Sequence, residues 1–180
     1  MLRFFHFFII DIEASKFVAE HCVLHERRKL DKAYFKRKNP RLKDYDYALG
    51  GYYFITICTE NKKHYFGEIV EEKMQLSETG KLAYGNIEKL AEIYNSTKID
   101  KFIVMPNHIH MILIIDKETD LSLSRIIKQY KEWITKTIKK PIWQKSYYDH
   151  IIRNEKDYYR IWKYIDENVL KWSLDKYYNE

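Results

Sequence analysis

Residues 99–115, IDKFIVMPNHIHMILII, constrain this chain more than any other stretch. Two runs rich in Ile, Val and Phe flank Pro106 and Asn107, which predicts two buried strands joined by a tight turn. Side chains alternate faces along a strand, so His108 and His110 share one face with Ile112 and Ile114. Ile109, Met111, Leu113 and Ile115 fill the other. Apolar residues on both faces predict a central strand covered on both sides, with two imidazoles together near one end. Burying that pair is costly unless each ring finds a hydrogen-bond partner or both share a metal ion. The spacing by itself admits either solution.

A chain of 180 residues is sized for one domain, and 46% hydrophobic content with only five Gly and three Pro predicts that most of it folds. The net charge of +6 is unevenly placed. Residues 26–44 hold nine Lys/Arg against three acids and residues 124–145 hold seven against one, which leaves 16 basic against 22 acidic residues elsewhere. Two basic segments on an otherwise acidic protein point to a polyanion, with nucleic acid first among candidates. The alternative is that these lysines are simply solvated. Cys22 and Cys58 have no metal-site spacing and build no disulfide framework, as expected in a reducing cytosol. The opening MLRFFHFFII is too short to span a bilayer, and no small-residue cleavage site follows it, so neither a membrane segment nor a signal peptide is expected.

In order, the chain predicts a basic arm over 26–44 and an ordered domain from about Tyr45. A first strand follows in GYYFITICTE, then a hairpin arm near 65–75. Ser77 caps a helix over about 78–94, with Leu82, Ile87, Leu90, Ile93 and Tyr94 as an apolar stripe that Gly80 and Gly85 weaken. After the two central strands, a helix over 121–138 turns Ile126, Tyr130, Trp133, Ile134 and Thr137 to the core, and Arg125, Lys128, Lys131 and Lys139 elsewhere. Residues 142–153 read as extended. Asn154 caps a last helix running to about Val169 or beyond. This alternation predicts an α+β domain, an antiparallel sheet with helices packed on it.

On the last helix, Tyr158, Ile161, Trp162, Ile165, Val169 and Trp172 form the core stripe. Tyr164 and Asn168, four apart and adjacent on the surface, lie off it, flanked by Arg160 and Lys171. That face offers a phenol, an amide oxygen and two cations, suited to gripping a phosphate; an amphipathic helix with an ordinary exposed tyrosine would look the same. Tyr158 and Tyr159 have Trp162 and Lys163 at the same spacing, neither a ligand for a hard cation. The adjacent Tyr147 and Tyr148 read as a stacking surface.

The string MPNHIHMI between hydrophobic strands resembles the HUH motif of single-tyrosine nucleases. Trp143, Gln144, Tyr147 and His150 match a Trp-Gln-x-x-Tyr-x-x-His pattern, and YIDEN matches Tyr-Ile-x-x-Asn at Tyr164 and Asn168, with Val169 where the family usually has Pro. Over about residues 40–172 the chain is thus similar to the REP-associated tyrosine transposases. The resemblance implies a ferredoxin-like HUH fold in residues 41–180, preceded by an extension and partly disordered basic arm in 1–40. It implies Tyr164 as nucleophile and His108, His110 and Asn168 as ligands of Mg²⁺ or Mn²⁺, with cleavage of hairpin-bearing single-stranded DNA through a 5′-phosphotyrosine. Gln144 and His150 are candidates for supporting roles, and Arg27, Arg28, Lys29, Arg37, Arg41, Arg125, Lys128, Lys131, Arg160 and Lys171 for DNA contacts. A bacterial, nucleoid-associated location in the cytoplasm is expected, as monomer or homodimer. Three alternatives stay open: a domesticated protein that binds DNA without cutting it, an RNA-directed protein of the same fold, and a metal hydrolase that uses water in place of tyrosine.

Overall fold

A computed structural model describes residues 50–116 and 121–178. The basic arm, with Arg27, Arg28, Lys29, Arg37 and Arg41, lies outside the described residues. Period-two alternation produces β1 (Gly51–Cys58), β4 (Thr97–Met105), β5 (His108–Ile115) and the shorter β6 (Tyr148–Ile152). They form one antiparallel sheet in the order β4-β5-β1-β6, so β5 is an interior strand. A separate hairpin pairs β2 (Gly67–Val70) with β3 (Lys73–Leu76).

Three helices cover the sheet: α1 (Glu78–Ile93), α2 (Leu123–Ile138) and α3 (Glu155–Asp166). On one face Tyr53, Ile55, Ile57, Met111 and Leu113 meet Ile87 and Leu90 of α1 and Ile126, Tyr130 and Ile134 of α2. On the other, Tyr52, Phe54 and Ile112 meet Tyr158, Ile161 and Ile165 of α3. The strand–helix–strand–strand–helix–strand core with α3 behind it is the ferredoxin-like α+β arrangement of HUH proteins. Among the described residues, no helix is long and apolar enough to cross a membrane.

The caps fall where the sequence predicts. The Ser77 hydroxyl accepts from Gly80 N at 3.0 Å, and Asn154 Oδ1 accepts from Asp157 N at 2.8 Å. The details of three helix faces differ. Ile93 at the end of α1 is 50% exposed. Thr137 faces solvent while Leu123 and Ile127 are buried, so the apolar stripe of α2 starts a turn earlier than expected. Trp162 also stands out of the core, with Lys101 Nζ 3.8 Å above its ring, a cation–π contact that replaces burial. The last helix stops at Asp166, short of Val169. Asn168 N bonds back to Ile165 O at 3.3 Å in a tighter turn, and a short 3-10 turn follows at Trp172–Leu174.

Gly80 is a packing requirement, because a Cβ there would lie 2.0 Å from the Phe66 carbonyl oxygen, whereas a Cβ on Gly85 would meet nothing within 4 Å. Gly80→Ala should therefore lower stability by roughly 2 kcal/mol or more through forced backbone displacement. Gly85→Ala should raise it by about 0.5–1 kcal/mol. Urea denaturation midpoints of the two variants would move in opposite directions.

Candidate active site

The turn Pro106–Asn107 delivers His108 to the first position of β5, and the register with β1 sets Thr56 opposite His110. Both histidines are fully buried, with ring centroids 4.4 Å apart. Each uses its Nδ1 inside the protein. His108 Nδ1 lies 2.9 Å from Asn107 Oδ1, and His110 Nδ1 lies 2.8 Å from the Thr56 hydroxyl. The Asn107 amide nitrogen donates to the carbonyls of Lys62 at 3.1 Å and Tyr177 at 2.8 Å, so its oxygen must face the ring and accept. His108 thus carries its proton on Nδ1 and presents a bare lone pair at Nε2.

Among the described residues, that Nε2 atom has no hydrogen-bond partner, nor does the buried Oδ1 of Asn168. Because α3 ends at Asp166, Asn168 comes from the turn behind it and is 2% exposed. Tyr164, still on α3, is half-buried and places its hydroxyl 3.2 Å from His110 Nε2. Tyr164 and Asn168 are therefore inward-facing, unlike the solvent-side pair that helical periodicity predicts. Their partner is Asp175, which sequence reasoning missed. Asp175 Oδ2 accepts from the Tyr164 hydroxyl at 3.0 Å and from the Asn168 amide at 3.1 Å. His108, His110 and Asp175 bring one donor atom each within 4.8 Å of one another, a group that could hold a divalent cation. Tyr177 was missed as well. Its ring lies 4.6 Å from that of His108 and covers the pair from the C-terminal side.

Burial governs the electrostatics. It pushes His108 down to about 4, partly offset by the nearby Asp175 carboxylate, and it holds His110 well below its ordinary range. Both rings are neutral at pH 7, as metal ligation requires. Burial, and then the charge of Asp175, push the Tyr164 phenol above its usual value.

Beside Tyr164 opens a cleft of about 290 Å³ ringed by Arg160, Lys163 and Lys171. Lys171 and Lys163 pair with Glu167 at 2.6 and 3.7 Å, and Arg160 pairs with Asp157 at 2.5 Å. Asp157 also meets His150 Nε2 at 2.6 Å, so His150 stands behind Arg160 rather than against the histidine pair. The Gln144 side chain is exposed. Arg125 and Lys128 lie on the outer side of α2, but Lys131 turns inward and donates to the carbonyls of Gln144 at 2.9 Å and Ser146 at 3.0 Å.

The sheet order, the paired histidines on its interior strand and the facing helix-borne tyrosine define an α+β domain of the HUH transposase type. An uncharacterized protein of Haemophilus influenzae is 34% identical over 79% of this chain and 93% of its own length. The REP-associated tyrosine transposase of Escherichia coli K12 is 27% identical over 69% of this chain and 70% of its own. A REP-associated tyrosine transposase solved bound to a REP hairpin superimposes with a TM-score of 0.59 at 27% identity, covering 75% of this chain and 77% of that one. No family model matches. The chain is thus a relative of the REP-associated tyrosine transposases and shares their fold.

Two outcomes follow from the site. An unfolded imidazole titrates near 6.5, so as the pH falls the unfolded chain takes up protons before the buried His108 does. Stability should be intact above about pH 6.5 and decline between 6.5 and about 4, by on the order of 3 kcal/mol from His108. Denaturation midpoints across that window would show it, and replacing His108 by Gln should flatten the profile. Asn107→Ala should release the His108 tautomer and lower the affinity of this group for a divalent cation by about ten- to a hundredfold in a calorimetric titration.

Proposed function

We propose that the protein is a metal-dependent single-strand DNA endonuclease and strand transferase, acting on hairpin-bearing DNA with Tyr164 as nucleophile. The observation that carries this is the convergence of the Tyr164 hydroxyl, 3.2 Å from His110, with two buried polar atoms that lack partners among the described residues, His108 Nε2 and Asn168 Oδ1. His108, His110 and Asn168 would hold Mg²⁺ or Mn²⁺, with Asp175 adjoining; imidazole and amide donors favour Mn²⁺ somewhat. When bound, such an ion polarises a phosphodiester and offsets the charge that builds on it.

The chain's own groups supply the rest. Arg160, Lys163 and Lys171 line the cleft where a phosphate would rest against Tyr164. The Tyr164 oxygen attacks phosphorus, the bond to the 3′ oxygen breaks, and a 5′-phosphotyrosine and a free 3′-hydroxyl remain. The phenolic proton passes to Asp175, its hydrogen-bond acceptor, the departing 3′ oxygen takes a proton from water, and Asp175 returns its proton to the hydroxide left behind. Rejoining runs the same exchange backwards with an incoming 3′-hydroxyl. The Tyr177 ring against His108 has to leave before a phosphate can reach the imidazoles. Arg125 and Lys128 on α2 are backbone contacts in this reading. Hairpin DNA is the substrate by analogy with the solved relative.

The test is to incubate the protein with hairpin-bearing single-stranded oligonucleotides and Mn²⁺ and to look for a denaturation-resistant adduct. Wild type should form one. Tyr164→Phe should bind Mn²⁺ and DNA undiminished yet form none. An adduct that persists in the Phe variant would move the nucleophile to another tyrosine, and cleavage without any adduct would favour a water-using hydrolase. Asn168→Ala should slow adduct formation and be rescued by excess Mn²⁺.

A further inference from the structure

We infer that the lysine-rich groove between α2 and residues 143–147 is a second nucleic-acid subsite, which takes the unpaired nucleotides beside the scissile phosphate; this rests on the DNA-cleaving reading above. The groove encloses about 720 Å³. Lys128 and Lys136 of α2 line one side, with Lys145 and Tyr147 on the other. Glu132 is the acid along it, already facing Lys128 at 3.7 Å. Lys136 and Lys145 are exposed and have no ion-pair partner among the described residues.

The far wall is built rather than loose. Lys131 donates to the carbonyls of Gln144 and Ser146, Trp143 Nε1 donates to Lys131 O at 3.1 Å, and Ser124 meets the Tyr147 hydroxyl at 3.4 Å. Lys131 is therefore a fastener of the wall and not a free phosphate contact.

The same wall runs to the catalytic end of the sheet. Gln144 N donates to Cys58 O at 3.0 Å, and Cys58 pairs across from His108. Tyr147 and Tyr148, neighbours in sequence, project to opposite faces of the sheet. Tyr147 joins the core on the α2 side. Tyr148, opposite Thr56, is 43% exposed and lies 6.4 Å from the ring of Phe54, which in turn lies 6.0 Å from that of Tyr164. Lys176 Nζ sits 5.3 Å from the Tyr148 ring. Because β6 is an edge strand, no further strand among the described residues blocks the passage between the two tyrosines. A chain leaving Tyr164 across this edge meets Tyr148, then Tyr147, then the lysines. Aromatic rings followed by spaced cations suit splayed bases on a phosphate backbone, whereas a duplex keeps its base faces inside its own stack.

The experiment compares a fluorescent DNA hairpin alone with the same hairpin carrying a short unpaired oligothymidine extension, by anisotropy on the full chain. Wild type should bind the extended probe about tenfold more tightly than the bare hairpin. Lys136→Glu/Lys145→Glu and, separately, Tyr148→Ala should lose that gain while keeping wild-type affinity for the bare hairpin. Variants that keep the gain, or that lose affinity for both probes equally, would overturn the subsite. Adduct formation on the same samples separates the two readings. A normal adduct with no gain from the extension refutes the groove alone, and wild type with neither adduct nor gain refutes both.

Discussion

Two imidazoles buried side by side at the start of an interior strand set the terms for the rest of this site. Neither ring can be charged there at neutral pH, since burial holds both below their ordinary range. Each needs a partner at one nitrogen and leaves the other nitrogen aimed. Asn107 from the turn and Thr56 from the neighbouring strand supply those partners at 2.9 and 2.8 Å. Their effect is directional. They turn both Nε2 atoms away from the sheet, toward the place where α3 ends.

That ending is the second constraint. The helix does not continue from Tyr164 to Val169. The tight turn after Asp166 instead carries Asn168 inward, to the 3.1 Å contact with Asp175 and the unpaired oxygen beside His108. The short turn at Trp172–Leu174 then returns the chain so that Asp175 and Tyr177 close the same space. The protein thus assembles its site from a strand and, more than fifty residues later, a helix with the C-terminal return that follows it.

What was legible in the sequence follows from which of these is local. The strand alternation of residues 108–115 assigned every side chain to its observed face, because a period of two leaves no freedom once both faces are buried. Ser77 and Asn154 announced their helices through side-chain chemistry. The end of α3 was not legible, since no Gly or Pro follows Asp166 and the apolar periodicity continues to Trp172. Lys131 was misread because amphipathic patterning sends every lysine to solvent, and the carbonyls that capture it lie 13 and 15 residues away. Asp175 and Tyr177 carried no local signal; an acid in a short aromatic tail, within reach of a His-x-His strand, becomes meaningful only through the tertiary return. Tyr164 and Asn168 were singled out by their spacing and by the motif resemblance, as a solvent-side pair, whereas both face the interior.

His108 and His110 aim their Nε2 atoms, with Asp175, at one space that could hold a divalent cation. Isothermal titration of the wild-type protein and of a His108→Ala/His110→Ala variant with Mn²⁺ at neutral pH tests it directly. Saturable binding is expected in wild type and none in the variant, with the circular dichroism of the two proteins alike. Undiminished Mn²⁺ binding in the double variant would contradict it.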